Sequence, residues 1–319
     1  MSNRHGKAMR RMLSGYGPLR RWLRSDGGLK KMMTHSASIL EQANEEIGGS
    51  VDRAVGTLSE LTVDELGLLL MDVPAAYPEL RRVLPTMPAD DVQRAWTGLA
   101  GVDLLRQSCA FVRSVELAFC KHLHRPLKDA AILDYGCGWG RLMRLMYHHS
   151  PPAKLYGVDP WDQSIELCRS HGLKGNLALC DYVPDSLPFG SDVKFDLIYA
   201  FSVFTHLSER TAQRVLRVMR SSINARGLLA LTIRPMEYWD VHGEGFPAGS
   251  NAGTMKSRHM ESGFAFIPHH REPIDGDITY GDTSISFDYI RRNWPDWRLV
   301  GYDFNSTDPN QLIVFLLPQ

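Results

Sequence analysis

The chain predicts an α/β fold, a doubly wound and mostly parallel seven-stranded sheet with an antiparallel last strand, behind an all-helical N-terminal region. Three observations carry this. Residues 132–141, ILDYGCGWGR, set an apolar β-type run ahead of glycines 136, 138 and 140. Further apolar runs follow at 155–158, 177–179, 195–200 and 228–233, separated by stretches of helical spacing. That alternation is the pattern of a parallel sheet with helices on both faces. Before residue 126 no strand pattern is visible.

Residues 1–31 form a basic arm. Arg4, Lys7, Arg10, Arg11, Arg20, Arg21, Arg24, Lys30 and Lys31 face one acid, Asp26, with Met9, Met12, Leu13, Leu19, Trp22 and Leu23 between them. Such an arm docks on its own protein or lies on an anionic membrane surface or polyanion. Residues 32–125 read as a helical cap. Helical spacing covers 36–47 and 58–71, with Gly48, Gly49 and Ser50 between them, and Thr62 followed by Glu65 is a capping-box pattern. Pro74, Pro78, Pro85 and Pro88 leave turns and one short helix over 73–87. From Ala89 to about His122 a long helical stretch is broken near Gly98 and Gly101, and Phe111, Val115, Ala118 and Phe119 share one face as core. The broken segment 96–101 either approaches a ligand or packs on the following domain.

In the ILDYGCGWGR stretch the strand closes on Asp134, the glycines turn the chain, and Arg141–Met146 reads as an amphipathic helix. Glycine suits a backbone that must take φ > 0 and pass close to a ligand. The spacing is G-x-G-x-G and not the G-x-G-x-x-G of dinucleotide enzymes, and alone it is a weak signal. Asp159 and Asp181 close the second and third strands, so three acids fall on one edge of the sheet. A carboxylate at the end of the second strand suits the two hydroxyls of a ribose.

Taken with YGVDPWDQSIELC, CDYVPDSLPF, KFDLIYAFSVFTHLSE and GLLALTIRP in that order, residues 126–319 resemble the class I S-adenosylmethionine-dependent methyltransferases. The resemblance implies a Rossmann-like sheet with a reversed strand at its edge, S-adenosylmethionine as cofactor, and a cap that covers it. Asp159 would then hold the ribose. Asp181 would take the adenine amine, with Tyr182 beside it. Asp134, Tyr135, Gly136, Cys137 and Gly138 would surround the amino-acid end, and Pro160, Trp161 and Phe201 would complete the site. Two readings stay open for Trp161, stacking on adenine or surface packing, and two for Arg141, the cofactor carboxylate or solvent. The segment after the fourth strand lacks the [DN]-P-P-[YF] motif of nucleobase amino methylation and a Pro-Cys nucleophile, and the acids of a metal-dependent catechol enzyme are not evident. His206 is a candidate base, although a His here commonly serves the next helix.

Between the fifth strand and the next helix lies an insertion, 234–284, rich in Gly, His, aromatic and acidic residues. A long loop at this place usually selects the acceptor. Residues 264–268 and 277–283 look like a hairpin over the pocket. His242 and Tyr280 join His206 as candidate catalytic groups. No metal is expected, because His242, His259, His269 and His270 fit no usual zinc spacing and no cysteine helps. Residues 286–294 read as a helix, and 297–304 and 311–317 as the final antiparallel strands.

The chain has 319 residues and equal numbers of Lys plus Arg and Asp plus Glu, 36 each. A neutral balance and no RNA module argue against nucleic acid. No run approaches the ~18–20 apolar residues of a membrane span. Five cysteines without paired spacing read as reduced thiols of a cytoplasmic protein, with the arm as a peripheral membrane contact. The expected activity is methyl transfer, at oxygen, to a small-molecule or saccharide acceptor by direct displacement. A non-catalytic cofactor-binding partner and an RNA methyltransferase are the alternatives. Oligomeric state and acceptor are not legible in the sequence.

Overall fold

The computed structural model describes residues 36–241 and 252–319. The basic arm and His242 lie outside the described residues. The first layer is helical: α1 (Ala37–Glu46), α2 (Val51–Leu58), α3 (Val63–Met71), α4 (Pro78–Val83), α5 (Asp90–Thr97) and α6 (Gly101–Leu123). The expected helix over 58–71 starts only at Val63: Leu58 ends α2, the chain turns at 59–62, and α3 restarts on a cap. Thr62 accepts the Glu65 amide, and the Glu65 carboxylate accepts the Thr62 amide at 2.8 Å. Gly98 ends α5 at φ 75°, and α6 restarts at Gly101.

The sheet follows: β1 (Ile132–Tyr135), β2 (Leu155–Asp159), α7 (Asp162–Ser170), β3 (Asn176–Leu179), β4 (Phe195–Ala200), α8 (Glu209–Ser222) and β5 (Ile223–Ile233). Next come α9 (Tyr238–Val241), α10 (Ala252–Ser262), β6 (Phe264–Pro268), β7 (Gly281–Ile285), α11 (Phe287–Asn293), β8 (Trp297–Phe304) and β9 (Leu312–Pro318). Seven strands pair in the order β3-β2-β1-β4-β5-β9-β8, parallel from β3 to β5, with β9 antiparallel to both β5 and β8. The order reverses between β1 and β4, so a crevice opens at the carboxyl ends of these strands.

Period-two alternation divides the core. Ile132, Leu197, Tyr199, Leu228, Ala230, Ile313 and Phe315 face the helical layer and share one cluster with Leu66, Leu70, Phe111, Val115 and Phe119. Their neighbours Leu133, Ile198, Leu229, Leu231, Val314 and Leu316 pack on the other face with Val215, Met219 and Ile290 from α8 and α11. The N-terminal helices therefore cover part of one face of the sheet, which they share with α7 and the segment after the glycine turn.

One expectation is overturned here. Arg141–Met146 is not an amphipathic α-helix: residues 141–144 are turns, and a 3-10 helix spans Leu145–His148. No polar face exists to make it amphipathic, because Leu142 through Tyr147 are all buried, Arg144 included. The Arg144 guanidinium donates to the carbonyls of Thr86, Trp139 and Gly140 and lies 4.8 Å from the Trp139 ring centre. The hairpin of the insertion exists, but its second strand is Gly281–Ile285 and not 277–283. β6 and β7 form their own two-stranded sheet.

Removing the α3 cap should cost about 1 kcal/mol. Urea unfolding of Thr62→Ala should show that loss with an unchanged slope, since the exposed surface lost on folding is the same.

Candidate functional site

Glycines 136, 138 and 140 all take positive φ, at 78°, 53° and 76°. At Gly140 a side chain would also strike Leu173, whose Cδ2 lies 2.2 Å from the position of a Cβ. The turn is tied down by its own protein. The Gly136 and Cys137 amides donate to the Val158 carbonyl, and Gly140 donates to Cys137. Gly138 donates to Asp159 Oδ2 at 2.9 Å. These four N–H groups are spent, so they do not form the amide nest that a pyrophosphate needs. The edge instead presents carboxylates, a set suited to hydroxyls, amines and positive charge.

Asp159 closes β2. Its other oxygen accepts the Trp161 amide at 3.0 Å and the Ser164 hydroxyl at 2.8 Å. Burial raises its pKa, and these hydrogen bonds oppose the shift. Asp134, at the end of β1, is 3 % exposed, and burial pushes its carboxyl up to about 7 despite Tyr199 and Arg141 nearby. Asp181 and Tyr182, past β3, are exposed on the same edge. Tyr135 and Cys137 are buried beneath the turn.

All the residues expected at the cofactor line one cavity of about 1320 Å³, which also takes in His206 and Tyr280. Trp96 and Trp161 stack with ring centres 4.5 Å apart, so α5 of the cap contributes an aromatic wall beside Asp159. Trp161 thus lines the cavity and packs on the cap at once. Arg141 is not a solvated side chain. It donates to Gln107 Oε1 at 2.5 Å and Ser108 Oγ at 3.3 Å, and lies 4.6 Å from the Phe201 ring centre. Burial brings its pKa down to about 10.

The opposite wall is built where β7 runs along the segment after β4. Gly281 and Thr283 donate to the carbonyls of His206 and Thr205, and Ile285 donates to Arg234. Asp282, on β7, gathers Arg234 at 2.5 Å, His269 Nε2 at 2.9 Å and the Tyr238 hydroxyl at 3.0 Å. Burial works to raise its carboxyl, yet these partners outweigh it and hold Asp282 below the usual carboxylate range. The His206 ring stacks on Tyr280 at 4.8 Å. His206 Nδ1 donates to the Gly281 carbonyl at 2.7 Å, which leaves Nε2 to accept from Arg234 at 3.3 Å. Burial, then Arg234, brings its pKa down to about 4. Arg271 lies over the Tyr280 ring at 4.3 Å, and both line the cavity.

Sequence reasoning passed over several of these groups. Arg234, Tyr238, Arg271 and Asp282 had no role assigned within the insertion, and residues 307–311 looked like a plain turn between strands but line the cavity. Asp308 there accepts from Gln107 and Gln311. Ser202 holds φ 60° without being glycine, with its amide on Thr232 Oγ1 at 2.6 Å. Strain of this kind at a site is not readable from residue type. The histidines 259 and 269 are engaged with Ser284 and Asp282.

Residues 132–227 match the family described as "Methyltransferase domain". A probable fatty acid methyltransferase of Pseudomonas putida is 25% identical over 253 residues, covering 72% of this chain and 59% of that protein. The chain thus spans less than two thirds of that relative's length. Among solved structures, an S-adenosylmethionine-dependent methyltransferase of Clostridium acetobutylicum is 14% identical, over 72% of this chain and 96% of that one, with a TM-score of 0.47. Magnesium protoporphyrin IX methyltransferase of Synechocystis with bound S-adenosylhomocysteine is 16% identical, over 76% and 94%, with a TM-score of 0.45.

Two outcomes follow from the carboxylates. Charge-assisted hydrogen bonds contribute about 1.5–3 kcal/mol, so Asp159→Ala should weaken S-adenosylmethionine binding at least ~10-fold by calorimetry. Asp134 titrates higher in the folded state, about 7, than in the unfolded chain, near 3.9. Between those values the folded state binds the extra proton, so stability falls as pH rises through this window. Urea unfolding from pH 5 to 8 should show Asp134→Asn gaining on the wild type as pH increases. The glycine turn and the three acids at its edge, Asp134, Asp159 and Asp181, all lie within residues 132–227, the segment that matches the methyltransferase-domain family.

Proposed function

We propose that the chain moves the methyl group of S-adenosylmethionine to an oxygen of a small acceptor by direct displacement, and that this oxygen arrives already ionised, as a carboxylate. The state of His206 carries the reading. Its Nδ1 proton is committed to the Gly281 carbonyl and its Nε2 lone pair faces an Arg234 N–H. With a pKa brought down to about 4 it is a weak base at neutral pH.

The other groups of this wall do not replace it. Tyr238 and Tyr280 are buried phenols whose pKa values are raised, so they keep their protons. Asp282 is engaged by three donors. Asp134 stands by the glycine turn, at the cofactor end of the cavity. A neutral hydroxyl, including that of a saccharide, needs a base that this wall does not offer. A carboxylate needs none.

When bound, S-adenosylmethionine supplies an electrophilic methyl on a positively charged sulfur and leaves as the neutral thioether. The chain's part is position and exclusion of water. Asp159 and Asp181 hold the hydroxyl and amine groups of the cofactor, and Trp96 with Trp161 shields them. Arg234 and Arg271 place positive charge on the acceptor wall, where an anionic acceptor would be held. A fatty acid, the substrate class in the name of the Pseudomonas putida relative, is an acceptor of this kind.

The test uses S-adenosylmethionine labelled on the methyl group, with hexadecanoic acid, hexadecanol and a neutral hexose as acceptors. Label should enter the acid alone and be released as methanol by alkali. General-base catalysis contributes ~10²–10⁴-fold, so His206→Gln should lose less than ~10-fold. Transfer to the alcohol or hexose, with a loss of ~100-fold or more in His206→Gln, would overturn the reading.

A further inference from the structure

Away from the cavity, three metal-ligating side chains meet at the opposite end of β1. Glu116 comes from the middle of α6, and His148 and His149 close the 3-10 helix that follows the glycine turn. The His149 carbonyl accepts the Asp129 amide, and Ser150 Oγ donates to the Ala130 carbonyl, which places the group at the amino end of β1. The glycine turn lies at its carboxyl end, and none of the three residues lines the cavity.

One donor atom from each of the three lies within 4.8 Å of the others, and His149 Nδ1 is 3.9 Å from Glu116 Oε1. The two rings stand edge to face, 4.7 Å apart. His149 is 6 % exposed. His148 Nδ1 and His149 Nε2 are buried with no hydrogen-bond partner among the described residues. Buried polar atoms are nearly always paired, and an orphan at such a place asks for an ion or an ordered water. The Glu116 carboxylate comes nearest to the other nitrogen of His149, Nδ1, at 3.9 Å, too long for a hydrogen bond, and the two orphaned nitrogens have no partner among the described residues.

We propose that Glu116, His148 and His149 form a site for a divalent transition-metal ion such as Zn²⁺. Two imidazoles and one carboxylate are a usual donor set for it, with water completing the coordination. The Glu116 side chain is 38 % exposed, so the site opens to solvent on that side and its carboxylate can swing in. Metal–ligand bonds of about 2.0–2.2 Å at tetrahedral angles set the donors about 3.4 Å apart, so they must close up by roughly 1.5 Å at most. Imidazole binds a metal in its neutral form. The ion would clamp α6 of the helical layer to the entry of β1, and its role is structural.

Co²⁺ serves as the probe, since its visible absorption reports nitrogen and oxygen ligands, with Zn²⁺ in competition. The full chain should take up one equivalent that Glu116→Gln and His148→Ala lose, and His269→Ala should keep it as a control for the insertion. Zn²⁺ should raise the melting temperature of the wild type and not that of Glu116→Gln, a conservative change at a half-exposed position that leaves the core intact. An absorption titration with no saturable Co²⁺ signal up to millimolar concentration would overturn the proposal. So would an equivalent retained in both variants.

Discussion

The Asp159 carboxylate is the interaction on which the site depends. One of its oxygens holds the Gly138 amide, and the other holds the Trp161 amide and the Ser164 hydroxyl. It therefore ties the turn after β1, the end of β2 and the first turn of α7 into one edge. The glycines make the turn sterically feasible, and the carboxylate gives its amides somewhere to go. A buried acid held in this way keeps lone pairs to satisfy, and it lines the cavity beside it.

The helical layer is as much a part of this edge as the strands are. Trp96 of α5 stacks on Trp161, and Gln107 and Ser108 of α6 hold Arg141. Both contacts reach across from the cap to residues that line the cavity. The same α6 buries Phe111, Val115 and Phe119 against the sheet, so the cap's grip on the site is fixed by the packing of the core. A shift of this helix would move that wall of the cavity with it, since close-packed interiors transmit displacement.

The wall of the cavity formed by β7 and the segment after β4 is organised around a second carboxylate, Asp282. Arg234 at the end of β5, Tyr238 of α9 and His269 after β6 converge on it, and β7 carries it along the segment that follows β4. Breaking a partly buried pair of this kind leaves an uncompensated charge, which is costly. The network thus holds the insertion in one arrangement and fixes the tautomer of His206 through Arg234 and Gly281. His206 is thereby engaged on both ring nitrogens.

Local chemistry in the sequence determined the parallel strands, the glycine turn, the three acids at strand ends and the capping box at Thr62. Each of these signals lies within a few residues and follows from backbone sterics or side-chain alternation. The same reasoning failed at Arg141–Met146, where two arginines implied a solvent face. Arg144 is buried because three carbonyls and the Trp139 ring converge on it from segments far apart in the chain, and no local pattern encodes that. Tertiary structure alone decided that Asp282 collects Arg234 and His269, that Trp96 meets Trp161, and that Glu116 faces His148 and His149. These pairings join residues tens of positions apart, and only the packing of helices on the sheet brings them within reach.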